Sequence, residues 1–254
     1  MLLDTWLVFK RGFQLSLRTP VWVLVGLMQP LLYLFLFGPL LHGVTKAPGF
    51  PEGTSWQILT PAMLVLLGLF GSAFVGFGLI SEWRGGVLDR MRVTPASRAA
   101  LLLGRALVAA VQMMVQGALL VLVAVLVFGL RAPIGGVLLS LLIVGLLGVT
   151  MASFSYALAL LIKVEEAFGP LMNTLVLPIM LLSGILIPVT TVLAPQWLYA
   201  ISRVNPLSYV VEAERAAFLG DYGSRSLLVG ILVLLAVGCL TVWWGIRMFQ
   251  RESS

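Results

Sequence analysis

Six apolar runs, about 21 to 41, 57 to 80, 101 to 129, 136 to 162, 168 to 187 and 227 to 246, are each long enough to cross a bilayer and together occupy most of a 254-residue chain. Inside hydrocarbon every backbone N–H and C=O must be paired within the protein, which restricts spanning structure to helices and closed barrels. The runs are unbroken Leu, Val, Ile and Gly rather than alternating apolar and polar residues, and this excludes the barrel. The expected fold is all-α: a polytopic membrane protein with six transmembrane helices. At 60% hydrophobic and 10% charged residues, with a mean hydropathy of +1.08, the composition excludes an ordinary water-soluble domain and leaves no room for a separate catalytic one. The single cysteine, Cys239, excludes an intrachain disulfide, and its place in the last apolar run predicts a buried thiol.

The net charge of +6 would point to nucleic acid in a soluble protein; here its distribution decides its meaning. An even number of spans puts both termini on one side. On that side fall Lys10, Arg11, Arg18, Arg84, Arg90, Arg92, Arg98, Arg105, Lys163, Arg247 and Arg251, against Lys46, Arg131, Arg203, Arg215 and Arg225 on the other. This bias predicts a multi-pass protein of the cell membrane, inner or plasma, with cytoplasmic termini, lipids as its surroundings and no nucleic-acid partner.

Residues 1–20 do not read as a cleavable signal, because the basic residues follow the first apolar stretch and no small-residue cleavage pattern precedes span one. Asp4, Arg11 and Arg18 recur every seven residues with Gln14 between them, and Leu2, Trp6, Phe9, Phe13 and Leu17 fall on the opposite helical face. That pattern predicts an interfacial helix ahead of a single transmembrane domain over 21–254.

Several functions are excluded by what the spans lack. None of the ten acidic residues falls inside a run, so the ionisable group on which a proton- or sodium-driven carrier depends at mid-membrane is missing. The only histidine, His42, stands at the outer end of span one, which rules out a histidine-based metal site or a Ser-His pair within one chain. Glu165 and Glu166 read as solvated loop acids. No Gly-Lys dipeptide occurs, hence no phosphate-cradling loop: the chain is expected to be no enzyme and to bind no cofactor.

The densest run of charge is the loop from Ser81 to Arg98 between spans two and three. Trp83, Val87, Leu88 and Met91 form an apolar face, Glu82, Arg84, Asp89, Arg90 and Arg92 a polar one, and Thr94-Pro95 ends the segment. A short amphipathic helix over 82–92 suits docking into a groove of a partner.

Glu82-Trp-Arg84-Gly85, then Leu88-Asp-Arg90-Met-Arg92-Val-Thr94-Pro95, resembles the permease subunits of ATP-binding-cassette exporters of the type-2 family, with the daunorubicin-resistance type nearest in likeness. Two further stretches carry the same resemblance: Pro178 to Pro188 around Ser183-Gly184, and Asn205-Pro206-Leu-Ser208-Tyr209 continuing to Arg215. The resemblance implies that two such permeases, identical or homologous, pair with two copies of a separate cytoplasmic ATPase that holds ATP and Mg. It implies that Glu82, Trp83, Arg84, Leu88, Asp89, Arg90 and Arg92 form the ATPase-coupling helix, with residues 1–20 as the connecting helix beside it. The implied function is efflux of a hydrophobic or amphipathic compound, a drug, antibiotic or lipid, as in multidrug or antibiotic resistance. A non-transporting membrane scaffold or sensor that recruits a partner through 81–98 is the alternative.

For the pathway, Phe70, Phe74 and Phe77 make an aromatic stripe in span two, and the resemblance adds Asn173, Leu177 and Met180 of span five as substrate contacts, with packing as the competing reading. Gln112 and Gln116 share a face of span three and read as interhelical hydrogen-bonding glue. Pro178 and Pro188 bracket Ser183-Gly184, where span five can break. In the outer loop 188–226, Pro195 to Ile201 and Pro206 to Leu219 read as proline-initiated helices. The resemblance makes them re-entrant, with Ser183, Gly184, Pro188, Asn205 and Pro206 at an outer gate. Glu212 and Arg215, three apart, read as a solvated face.

Overall fold

Long runs of good helix formers with few internal breakers give helices whose ends are set by specific caps. In a computed structural model describing residues 2–18, 21–41, 43, 53–85 and 97–251, all regular structure among the described residues is helical. In chain order the helices are α1 (Leu2–Leu17), α2 (Val21–Leu41), α3 (Ser55–Ala73), α4 (Gly76–Arg84), α5 (Arg98–Phe128), α6 (Ile134–Ile162), α7 (Glu165–Leu182), α8 (Gln196–Val204), α9 (Pro206–Leu219) and α10 (Arg225–Arg251). Thr54 and Gln57 form a reciprocal capping box that starts α3, and the Ser97 hydroxyl accepts from Ala100 N–H to start α5.

Five segments are long and apolar enough to cross a membrane: Val23–Leu41, Ser55–Arg84, Arg98–Phe128, Ile134–Ile162 and Arg225–Arg251. The remaining expected span, 168–187, corresponds to α7, which begins earlier and ends at Leu182. Its 18 residues measure roughly 27 Å at 1.5 Å per residue, slightly less than the hydrocarbon thickness. It stops there because Gly184 takes a left-handed φ of 76°, which helical backbone does not continue through.

The core is built on α6, which packs against α3, α5, α9 and α10. One stripe of α10, Leu227, Gly230, Leu234, Gly238 and Gly245, faces the bundle. Cys239 lies off that stripe and is exposed on the single chain, which corrects the expected buried thiol.

Helix α1 runs parallel to the first half of α5. A β-carbon added at Gly104 would stand 2.7 Å from Val8, one at Gly12 would stand 2.9 Å from Val108, and Gln112 Nε2 donates to the Ser16 hydroxyl at 2.6 Å. Contacts repeating every four residues on both helices are the ridges of one lying in the grooves of the other. The seated face, Thr5, Val8, Gly12 and Ser16, is small, whereas Trp6, Phe9 and Phe13 stack as a ladder of rings alongside it, 5.4 and 5.7 Å apart. The starts of α1 and α5 lie on one face of the bundle with the ends of α4, α6 and α10, as Glu82 meets Arg105, Lys163 meets Trp83 and Gly245 meets Leu102.

Candidate functional site

Span two is broken. Its first part, α3, ends at Ala73, Phe74 and Val75 make a turn, and α4 restarts at Gly76. The break exposes a carbonyl and an amide in a buried place, and Ser155 of α6 satisfies both: its Oγ donates to Ala73 O at 2.6 Å and accepts from Gly76 N–H at 2.9 Å. Gly76 is required by space, since a β-carbon there would stand 2.6 Å from the Phe168 ring and 2.7 Å from the Ser155 carbonyl. In the sequence Gly76 lies within an unbroken apolar run, and nothing there marks it as the site of a break.

Beyond the break, α4 carries Glu82, Trp83 and Arg84 in its last turn, and each holds a different part of the bundle. Glu82 pairs with Arg105 of α5. Lys163, the only non-glycine with positive φ among the described residues, places its ammonium 5.2 Å from the Trp83 ring centre. Arg84 bridges Glu165 at 3.4 Å and Glu166 at 3.0 Å. Glu165 and Glu166 are therefore ion-paired residues in the first turn of α7, where the helix dipole favours negative charge, rather than free loop acids. The Glu166 carboxyl is held below its usual range by its own backbone N–H and then by the Arg84 guanidinium. Leu88, Asp89, Arg90 and Arg92 lie outside the described residues, as does His42.

The aromatic stripe divides. Phe77 packs edge-on against Phe168, with ring centres 4.9 Å apart. Phe70 and Phe74 instead line a cavity of about 410 Å³ with Gly26, Gly71, Met113 and Gln116. On α7, Met180 shares the buried face with Phe168, Met172 and Val176, whereas Asn173 and Leu177 are exposed on the single chain. These six residues therefore do not meet in one cavity of a single chain. Gln112 is interhelical glue through Ser16, but Gln116, 5% exposed, leaves its Oε1 without a partner.

At the far end, the carbonyls freed where α7 stops are taken up by side chains of α9 and its cap. Asn205 Nδ2 donates to Ile179 O at 2.6 Å, the Ser208 hydroxyl lies 3.2 Å from Leu182 O, and Arg215 donates to Gly184 O at 2.8 Å. Asn205 Oδ1 also accepts from Leu207 N–H, capping α9 ahead of Pro206. Ser183, Gly184 and Pro188 line a cavity of about 330 Å³ with Ser202, Glu212 and Arg215.

The ion pair of Glu212 is with Arg203, at 2.7 Å, rather than with Arg215, and it raises the Arg203 guanidinium further. Burial brings Arg215 down to about 10, with Glu212 acting against it, so it stays charged at neutral pH. Glu214, on the next position, is fully buried, and neither carboxyl oxygen finds a hydrogen-bond partner. Burial pushes this acid well above its ordinary value, opposed by the Ser140 hydroxyl that faces it without a closed hydrogen bond. The expected solvated face, Glu212 and Arg215, is thus half-buried, and Glu214 between them is fully buried, because α9 packs against α3, α6 and α10.

The family model of the ABC-2 type transporter matches residues 4–219. The chain is 30% identical over 222 residues to the ycf38 protein of Cyanophora paradoxa, which carries the name of a transport permease; the match covers 87% of this chain and 75% of that one. A ycf38 protein of Pyropia yezoensis is 31% identical over 209 residues, covering 78% and 68% of the two chains. The daunorubicin resistance ABC transporter permease protein DrrB1 of Streptomyces coeruleorubidus is 26% identical over 241 residues, covering 92% of this chain and 82% of that protein.

Proposed function

Because the chain belongs to the ABC-2 type transporter family, we propose that it is the permease subunit of an ATP-driven exporter that moves a hydrophobic or amphipathic compound out of the cytoplasm or inner leaflet. The observation that carries the mechanism is the grip of Glu82, Trp83 and Arg84. A displacement of the charged 82–92 segment is delivered at once to α5, to Lys163 and to the start of α7, and the break at Phe74–Val75 lets α4 follow while α3 stays packed. A two-part span with a stitched joint is the kind of element that supports a switch between inward and outward arrangements.

In this reading α7 is the sixth span, α8 and α9 are re-entrant on the outer side, α1 is the connecting helix and the termini are cytoplasmic. ATP and Mg are held by two copies of a separate ATPase seated on the 82–92 segments. A second permease copy or homologue completes the pathway: Asn173 places an amide midway along α7 on a face that nothing covers in one chain, and an intramembrane amide calls for a polar partner. The relative DrrB1 is named for daunorubicin resistance, which supports a drug-like substrate.

The test is reconstitution in liposomes with and without the ATPase partner, following efflux of a lipophilic dye. Efflux should require both ATP and the ATPase, and charge reversal at Asp89 and Arg90 should abolish it. Transport without the ATPase, or normal transport in the reversed variant, would overturn the proposal. ATPase binding with no compound stimulating hydrolysis would favour the scaffold reading.

A further inference from the structure

Two cavities adjoin toward the face where α1 begins and α10 ends. The first, about 290 Å³, opens between α1, the end of α4, α5 and α6; the second, about 410 Å³, continues between α2, α3 and α5. Val75 and Gln112 stand in the walls of both, so together they form one groove running from the bundle end into the apolar layer.

The groove is polar at its start and apolar along its length. At the start Arg105 is neutralised by Glu82, while Arg11 has no ion pair among the described residues: two guanidiniums against one carboxylate in the lining leave one positive charge. Val8, Leu15 and Val108 wall the next stretch, and Phe70 and Phe74 the inner one. At the inner end Gln116 lines the cavity, and its Oε1 is a buried acceptor without a hydrogen-bond partner, which calls for a donor. Gly26 makes room for this amide, since a β-carbon there would stand 3.0 Å from Oε1.

We infer that this groove binds an anionic amphiphile with a hydroxyl or amide donor between its charged head and its chain. The head meets Arg11, the chain lies along Val8, Leu15 and the two phenylalanines, and the donor reaches Gln116. The site does not rest on ATP-driven export, since a permease that moved nothing would still bind at it.

The experiment is native mass spectrometry of the whole chain in detergent. The probes are lysophosphatidic acid, which has a charged phosphate and a free hydroxyl, its deoxy analogue lacking that hydroxyl, and lysophosphatidylcholine with no net charge. Lysophosphatidic acid should be retained about tenfold more than lysophosphatidylcholine, the scale of one charge-assisted contact. Arg11→Gln should erase that preference without lowering the melting temperature, because Arg11 is exposed and has no ion pair among the described residues. Lys10→Gln, on the same helix but outside the groove, should leave it intact. Gln116→Leu should reduce retention of lysophosphatidic acid severalfold and leave that of the deoxy analogue unchanged. Inorganic phosphate should not displace the lipid. Equal retention of the charged and uncharged lipids, an unaltered Arg11→Gln variant, a Lys10→Gln variant that behaves like Arg11→Gln, an unaltered Gln116→Leu variant, or displacement by phosphate would each overturn the assignment.

Discussion

Ser155 holds Gly76 by a 2.9 Å hydrogen bond across the break in span two, and the same hydroxyl closes the other side of the break on Ala73. A single side chain of α6 thus satisfies the two backbone groups that a helix interruption strands in a buried place. Ser155→Ala removes both partners and leaves both groups unpaired, at a cost of about 1–3 kcal/mol for each. The expected result is a melting temperature lowered by several degrees, measured on the purified protein in detergent. Gly76→Ala should be worse, because its β-carbon meets the Ser155 carbonyl, which cannot swing aside as a side chain tip can. Equal melting temperatures for Ser155→Ala and the wild type would show that the joint is solvated.

The two ion pairs at the end of α4 should behave differently. Arg84 is 42% exposed and its partners 46% and 75%, so solvent screening leaves both bridges contributing little, and Arg84→Gln should barely move the melting temperature. Arg105 is 18% exposed, and Arg105→Gln leaves Glu82 half-buried without its cation. Its destabilisation should exceed that of Arg84→Gln, with the double variant Glu82→Gln/Arg105→Gln recovering part of the loss. The check is a double-mutant cycle on melting temperature; a coupling near zero would remove Glu82–Arg105 from the anchors of α4.

Much of this architecture was legible beforehand because long apolar runs leave the backbone few choices. Helix α9 covers the expected Pro206 to Leu219, and α1 covers nearly all of the expected N-terminal helix. What was not legible depended on which side of a helix meets which neighbour. Glu214 stood in the sequence as one of ten acids outside the apolar runs, with nothing to set it apart, yet packing of α9 on α3, α6 and α10 buries it. Cys239 failed in the opposite sense: an apolar run says that a residue avoids water, and not whether protein or lipid covers it. The Phe74–Val75 break lies in ordinary apolar sequence, and only the distant Ser155 makes it affordable.

Asn205 carries two duties that substitution can separate. Its Oδ1 caps α9 through Leu207 N–H, and its Nδ2 ties α9 to α7 through Ile179 O. Asn205→Asp keeps the acceptor for the cap and loses the donor to Ile179, whereas Asn205→Ala loses both. The alanine variant should lose about 1–2 kcal/mol for the cap beyond what the aspartate variant loses for the tie. Unfolding followed by circular dichroism gives the comparison, and an aspartate variant as unstable as the alanine one would mean that the cap contributes nothing.

Glu214 makes stability depend on pH in a direction opposite to that of an ion-paired carboxylate. Its acid is raised by burial, so the folded chain binds its proton more tightly than the unfolded chain does. Below the unfolded value near 4.5 the group is neutral in both states and costs nothing; above it, the unfolded chain gains by ionising, and stability falls until pH passes the raised folded value. Glu214→Gln holds the neutral form at every pH. The variant should therefore match the wild type at about pH 4 and exceed it increasingly toward about pH 8 in melting temperature. Glu166 works the other way: its acid is lowered, so its small contribution is present at neutral pH and is lost as pH falls through the folded value. A wild type that gains stability relative to Glu214→Gln as pH rises would show that the buried carboxylate is ionised and paired with a cation.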